Sequence, residues 1–181
     1  MAVTITNFVH GPTTDNESGL ATGWLPGELS EMGIEQAKIL GEQVSDRKFD
    51  VVFCSDLQRA IDSAELGFGD KYKIVQDARL RECNYGDMNG TSAKEFKDRM
   101  DDYIDTKFSN GESYKDVEKR ISSFVEFLKD NYDDKHIAIV AHQGPQLALD
   151  VLLRCRTWKQ AINEDWRKVK AWKPGWQYII N

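Results

Sequence analysis

Two of the three histidines share one local setting. His10 follows Val3, Thr4, Ile5, Thr6, Asn7, Phe8 and Val9, and precedes Gly11 and Pro12. His142 follows the run Ile137, Ala138, Ile139, Val140, Ala141 and precedes Gln143 and Gly144. Both runs are rich in β-branched or aromatic residues, as strands are, and glycine or proline ends each of them. Ligands of open α/β sheets gather at the carboxyl ends of strands. If the two strands are neighbours, both imidazoles enter one crevice, where a neutral imidazole is a competent nucleophile near neutral pH. A third apolar run, Phe49 to Cys54, leads into a predicted helix carrying Arg59, whose planar fork suits phosphate oxygens. Glu82, in Leu80-Arg81-Glu82, adds a carboxyl that can protonate a leaving oxygen and then deprotonate water. Helix starts after Ser55 and Gly144 offer backbone donors to an anion. Together these groups are what a phosphomonoesterase with a phosphohistidine intermediate needs.

The elements that must position these residues alternate. Ser30 reads as an N-cap, followed by Gly33, Ala37, Leu40 and Val44 at helical steps. Ser55 or Asp56 is placed to cap a helix burying Leu57, Ala60, Ile61 and Ala64. Lys73 to Val75 is a short strand candidate. The charged segment 91–112 reads as a solvated surface helix and then a loop at Ser109, Asn110 and Gly111, and it is a candidate partial lid. Ser113 caps the clearest helix, with Val117, Ile121, Phe124 and Leu128 on its buried stripe. Pro145 suits the first turn of a helix after the His142 strand. In the tail, Gln160 to Lys168 reads as a helix and Trp176 to Ile180 as a last strand, with the tryptophans serving core and edge packing. Strands alternating with helices predict a three-layer α/β/α sandwich with a mostly parallel central sheet, in one domain spanning 1–181.

Composition narrows the function. Forty per cent apolar and thirty per cent charged residues are ordinary for a globular chain. A formal net charge of -6 argues against a nucleic-acid partner. A small phosphorylated substrate needs only a few local cations. No apolar run reaches the length of a membrane span, and no signal peptide is legible at the start. Cys54, Cys83 and Cys155 have no paired spacing, which fits a reduced, cytoplasmic chain. His136, after Asp133, Asp134 and Lys135, reads as a surface residue. No metal site is expected: His10 and His142 lie far apart in sequence without supporting cysteines. The spacing from Cys54 to Arg59 is one residue short of the cysteine phosphatase pattern.

The motifs resemble the histidine phosphatase superfamily, the branch with the cofactor-dependent phosphoglycerate mutases and small phosphatases. They are His10-Gly11 with Thr13, Thr14 and Asn16; Gly23-Trp24; Leu29 to Ala37; Ser55 to Ala60; Leu80-Arg81-Glu82 with Gly86 and Gly90; Asn110 to Ser113; and Val140-Ala141-His142. The resemblance spans nearly the whole chain and implies a phosphoglycerate mutase-like fold. It implies catalytic roles for four residues: His10 as nucleophile, Arg59 and His142 as binders of phosphoryl oxygens, and Glu82 as general acid and base. Gly11, Asn16 and Gln143 join Arg59 and His142 as substrate-binding candidates. The implied partner is a small phosphorylated substrate, with no metal or organic cofactor, in a monomer or homodimer.

Two positions depart from that family's pattern. Val9 stands where an arginine precedes the nucleophile, and Gln143 stands where glycine follows the second histidine. Arg79, Arg81 and Lys173 are the candidates for a substitute cation. A silent relative that only binds a phosphorylated ligand or a protein is the competing reading, favoured by Val9 and opposed by His10, Arg59, Glu82 and His142 together. Among active readings, hydrolysis is preferred to mutase chemistry, because 91–112 is the only sizeable segment available to keep water from the intermediate.

Overall fold

The computed structural model describes residues 2–171 and 173–181. The chain opens with β1 (Val3–Val9) and a single turn, α1 (Thr14–Glu17). It continues through α2 (Glu31–Gln43), β2 (Val51–Cys54), α3 (Gln58–Phe68) and β3 (Ile74–Gln76). A short α4 (Lys94–Lys97) precedes the long α5 (Tyr114–Asn131). Then follow β4 (His136–Ala141), α6 (Gln143–Arg154), α7 (Trp158–Asn163), α8 (Trp166–Val169) and β5 (Trp176–Ile180). The five strands lie in the order β3-β2-β4-β1-β5, all parallel except β5, which runs antiparallel to β1 along the edge.

Strand alternation sends side chains to two cores. Ile5, Phe53, Ile137, Ile139 and Ala141 join Val117, Ile121, Phe124 and Leu128 of α5 and Leu147 and Ala148 of α6. Phe8, Val52, Cys54, Ala138 and Val140 join Ala64 and Phe68 of α3, with Leu40 of α2 packed alongside. Helices on both faces of a mostly parallel sheet make the α/β/α sandwich that alternation predicts. Trp176, Tyr178 and Ile180 of β5 are buried while Gln177 and Ile179 face out, the period of two of a one-sided edge strand.

Several local expectations are corrected. Leu57, not Ser55 or Asp56, occupies the N-cap of α3 and makes no side-chain cap bond; Ser55 Oγ instead accepts from Leu57 N at 3.2 Å. Segment 91–112 is no solvated helix. Only Lys94–Lys97 is α-helical, a 3₁₀ turn covers Met100–Tyr103, and Phe96, Met100, Ile104 and Phe108 are buried. Four apolar anchors outweigh the charges around them, and Phe108 stacks on Tyr103 with ring centroids 3.8 Å apart. The helix expected over Gln160 to Lys168 is two short ones, broken at Asp165, whose carboxylate caps the second. His136 is half-buried rather than superficial. Its Nε2 meets Thr6 Oγ1 at 2.8 Å and its ring packs on Phe49. Trp158 and Trp176 are core residues as expected, while Trp172 lies outside the described residues.

Candidate active site

Parallel pairing of β1 with β4 sets Val9 opposite Ala141, so His10 and His142 leave the sheet side by side. His10 N donates to Ala141 O at 3.1 Å, locking that register at the strand ends. The two rings stand 4.9 Å apart, centroid to centroid, tilted by 58°. His10 Nδ1 lies 2.7 Å from Gly11 O, and because a carbonyl only accepts, Nδ1 carries the hydrogen. That leaves the lone pair on Nε2, which receives the Nε–H of Arg59 at 3.4 Å. Burial first, and the nearby Arg59 cation second, lower the His10 pKa to about 3. His142 is fully buried and pushed well below the ordinary imidazole value, again by burial first and Arg59 second. Neither of its nitrogens has a hydrogen-bond partner among the described residues. Buried polar atoms are rarely left so, and an unpaired pair of imidazole nitrogens beside the His10 ring suits a ligand oxygen.

Arg59, on the first turn of α3, is buried and held by backbone carbonyls. Nη2 donates to Gly23 O at 2.7 Å, and Nη1 to Leu25 O at 2.9 Å and Pro26 O at 3.3 Å. Its charge therefore faces His10 while most of its donors fix the 23–26 loop. Glu82 is fastened from the other side. Oε1 accepts from Cys83 N and Gly144 N, both at 2.8 Å, and Oε2 accepts from Gln143 N at 3.1 Å. A carboxylate has about four lone-pair sites, so one on Oε2 is left for a proton. The backbone at Glu82 is clamped too: its carbonyl accepts from Trp24 Nε1 at 2.7 Å and Arg120 Nη2 at 2.9 Å. Arg120 in turn pairs with Glu112, whose Oε2 also accepts from Asn84 N. Trp24, Glu112 and Arg120 thus fix the backbone that carries Glu82, and no sequence pattern assigned them that work.

His10, Arg59 and Glu82 line a cavity of about 460 Å³, which also receives Gly11, Asn16 and Gln143. His142, fully buried, packs behind His10 and is not one of its walls. Gly11 offers no free donor, since its N–H is bound to Ser63 Oγ at 3.0 Å. Asn16 spends its side-chain oxygen on Thr13 N in a capping box. Gln143 donates its side-chain amide to Asp165. Val9 is one of the walls. Of the substitute cations suggested by sequence, only Lys173 lines the cavity. Arg79 is tied to Asp77 over the Phe127 ring, and Arg81 forms a forked pair with Asp56 and lies over Trp24. Arg167 and Lys97, absent from that set, do line it. Among the described residues, no group of three or more His, Cys, Asp or Glu could hold a metal ion.

The chain is similar to known proteins over most of its length. A sequence profile of the histidine phosphatase superfamily (branch 1) matches residues 9–170. The adenosylcobalamin/alpha-ribazole phosphatase of Escherichia coli (strain K12) is 31% identical over 75% of this chain and 71% of its own length. A 2,3-bisphosphoglycerate-dependent phosphoglycerate mutase of Methylorubrum extorquens (strain PA1) is 30% identical over 83% of this chain and 78% of its own. The crystal structure of the alpha-ribazole phosphatase from Shigella flexneri superposes with a TM-score of 0.78 at 27% identity, covering 90% of this chain and 84% of that one.

Proposed function

The chain belongs to the histidine phosphatase superfamily, and on that premise we propose that it is a phosphomonoesterase working through a phosphohistidine on His10. One observation carries the reading: two neutral imidazoles 4.9 Å apart at adjacent strand ends, with Arg59 Nε against the lone pair of His10. In the first step His10 Nε2 bonds to phosphorus, the bond from phosphorus to the ester oxygen breaks, and Glu82 gives that oxygen a proton. In the second, water bonds to phosphorus, the N–P bond breaks, and Glu82 takes the water's proton. His142 holds a phosphoryl oxygen, and Arg59 supplies positive charge.

A cavity of about 460 Å³ suits a small phosphorylated substrate, and Tyr85, Phe96, Trp166 and Trp176 give it aromatic walls. Phe96, Lys97 and Met100 bring segment 91–112 into one wall, as a partial lid would be. Cys54, Cys83 and Cys155 are all unpaired, which favours a reducing compartment such as the cytoplasm. The silent-relative reading draws on one observation, that Arg59 gives most of its donors to carbonyls.

The deciding experiment treats the protein with a radiolabelled phosphomonoester in EDTA and quenches it in alkali. Wild type should turn over and retain a base-stable, acid-labile phosphate that His10→Ala lacks. Turnover that needs a divalent ion, or label that survives His10→Ala, would remove the phosphohistidine mechanism.

A further inference from the structure

Beside His10 the cavity wall offers little free positive charge. Val9, beside the nucleophile, is an apolar wall, and Arg59 is largely occupied by Gly23, Leu25 and Pro26. A phosphoryl group in transfer needs more than two neutral rings and one encumbered guanidinium. Arg167, on α8, lines the same cavity and is held in place. Its Nη1 donates to Asp165 Oδ1 at 2.9 Å and both terminal nitrogens reach Gln146 Oε1 at 3.4 Å. Its guanidinium lies 4.4 Å from the Trp166 ring centroid, and Trp166 stacks on Trp176 of β5. Val9 and Trp166 both pack against the core cluster that contains Trp176, and all three line the cavity.

Asp165 joins this cation to the catalytic loop. Its carboxylate is buried; Oδ1 binds Arg167, and Oδ2 takes the side-chain amide of Gln143. Gln143 N in turn donates to Glu82. Lys97 and Lys173 also line the cavity, but both are exposed. Arg167 alone of the three adds to the field that disfavours a proton on both His10 and His142.

We infer that Arg167 is the second phosphate-binding cation of this site, and that Gln143 is a positioning residue that holds it there through Asp165. Val9 and Gln143 are then two halves of one arrangement, in which the cation comes from the C-terminal α8 instead of the first strand. The inference rests on the phosphatase reading of the cavity, but it predicts anion binding as well as turnover.

The test compares wild type, Arg167→Ala, Arg167→Gln, Gln143→Gly, the Arg167→Ala/Gln143→Gly pair and Val9→Arg/Arg167→Ala. Each is assayed on p-nitrophenyl phosphate and titrated calorimetrically with inorganic phosphate, with a thermal melt to establish folding. Arg167→Ala should lower kcat/KM by about 100- to 1,000-fold and weaken phosphate by about tenfold. Arg167→Gln, which keeps the packing on Trp166, should show the same direction. Gln143→Gly should lose about tenfold alone and nothing further when Arg167 is already alanine, a non-additivity that a merely structural role would not give. Val9→Arg should restore part of the activity lost in Arg167→Ala. Unchanged kcat/KM and phosphate affinity in folded Arg167→Ala and Arg167→Gln would overturn the inference while leaving the phosphatase reading intact. Phosphate binding that depends on Arg167 in a protein without turnover would overturn the phosphatase reading and support the cation. A wild type that binds no phosphate would overturn both.

Discussion

At the scale of single residues, His10, the proposed nucleophile, is denied a proton. Its pKa of about 3 comes from burial and then Arg59, and His142 is depressed by the same two causes. The unfolded chain takes protons on both imidazoles near pH 6.5, whereas the folded protein refuses them. Stability from this source is therefore complete above about pH 6.5 and is lost as pH falls toward the folded values. The urea midpoint should drop between about pH 7 and pH 5, and His10→Gln should make that drop shallower; equal slopes would mean the imidazole is not held neutral. Glu82 has a different task. Glu82→Gln should cost about 100- to 10,000-fold in turnover of alkyl phosphates. The loss should shrink on aryl phosphates, whose leaving groups need little protonation, and an equal loss on both would show that Glu82 is not the acid.

At the scale of elements, the site is made by close approaches. A Cβ at Gly144 would lie 2.5 Å from Glu82 Oε1, so the start of α6 can accept the carboxylate only as glycine. Gly144→Ala should cost at least tenfold in kcat through displacement of Glu82, with little change in the melt. An active variant would show that Glu82 tolerates another position. In segment 91–112, Phe96 packs on Tyr85 at 4.6 Å and on Phe108 at 5.4 Å, and it also walls the cavity. Phe96→Ala should destabilise by about 3 to 5 kcal/mol in urea unfolding and raise KM. A loss below about 1 kcal/mol would return the segment to the surface role its charges suggested.

Legibility from sequence follows the same scale. Long apolar runs ending in glycine betrayed His10 and His142 without any structure, because buried parallel strands leave that pattern. Arg59 and Glu82 are legible as candidates from the chemistry that phosphoryl transfer needs and from their places after apolar runs. Neither stands in a periodic pattern that points inward, so their roles rest on resemblance. Segment 91–112 misled because its anchors at Phe96, Met100, Ile104 and Phe108 sit among charges that dominate any average. Arg167 was hidden for another reason. Its helix spans four residues, too few for periodicity, and its partners Asp165, Gln146 and Gln143 meet only in three dimensions.

For the whole molecule, charge is distributed against its own total. The chain carries a formal net charge of -6. Yet the described residues lining the cavity include Arg59, Lys97, Arg167 and Lys173, with Glu82 their one carboxylate. An approaching phosphate is thus repelled by the protein at long range and attracted at short range. Which effect wins depends on screening: the Debye length is about 10 Å at 0.1 M salt. The lining charges act on a bound phosphate directly, whereas carboxylates outside the cavity act through solvent that salt screens. The local field should therefore control binding. Raising sodium chloride from about 20 to 200 mM should weaken inorganic phosphate as a competitive inhibitor several-fold. Lys97→Ala, which removes an exposed cation at the rim, should flatten that salt dependence with little effect on kcat. If added salt instead tightens phosphate, the global negative charge governs access, and the cationic lining would be too weak to recruit a phosphorylated substrate.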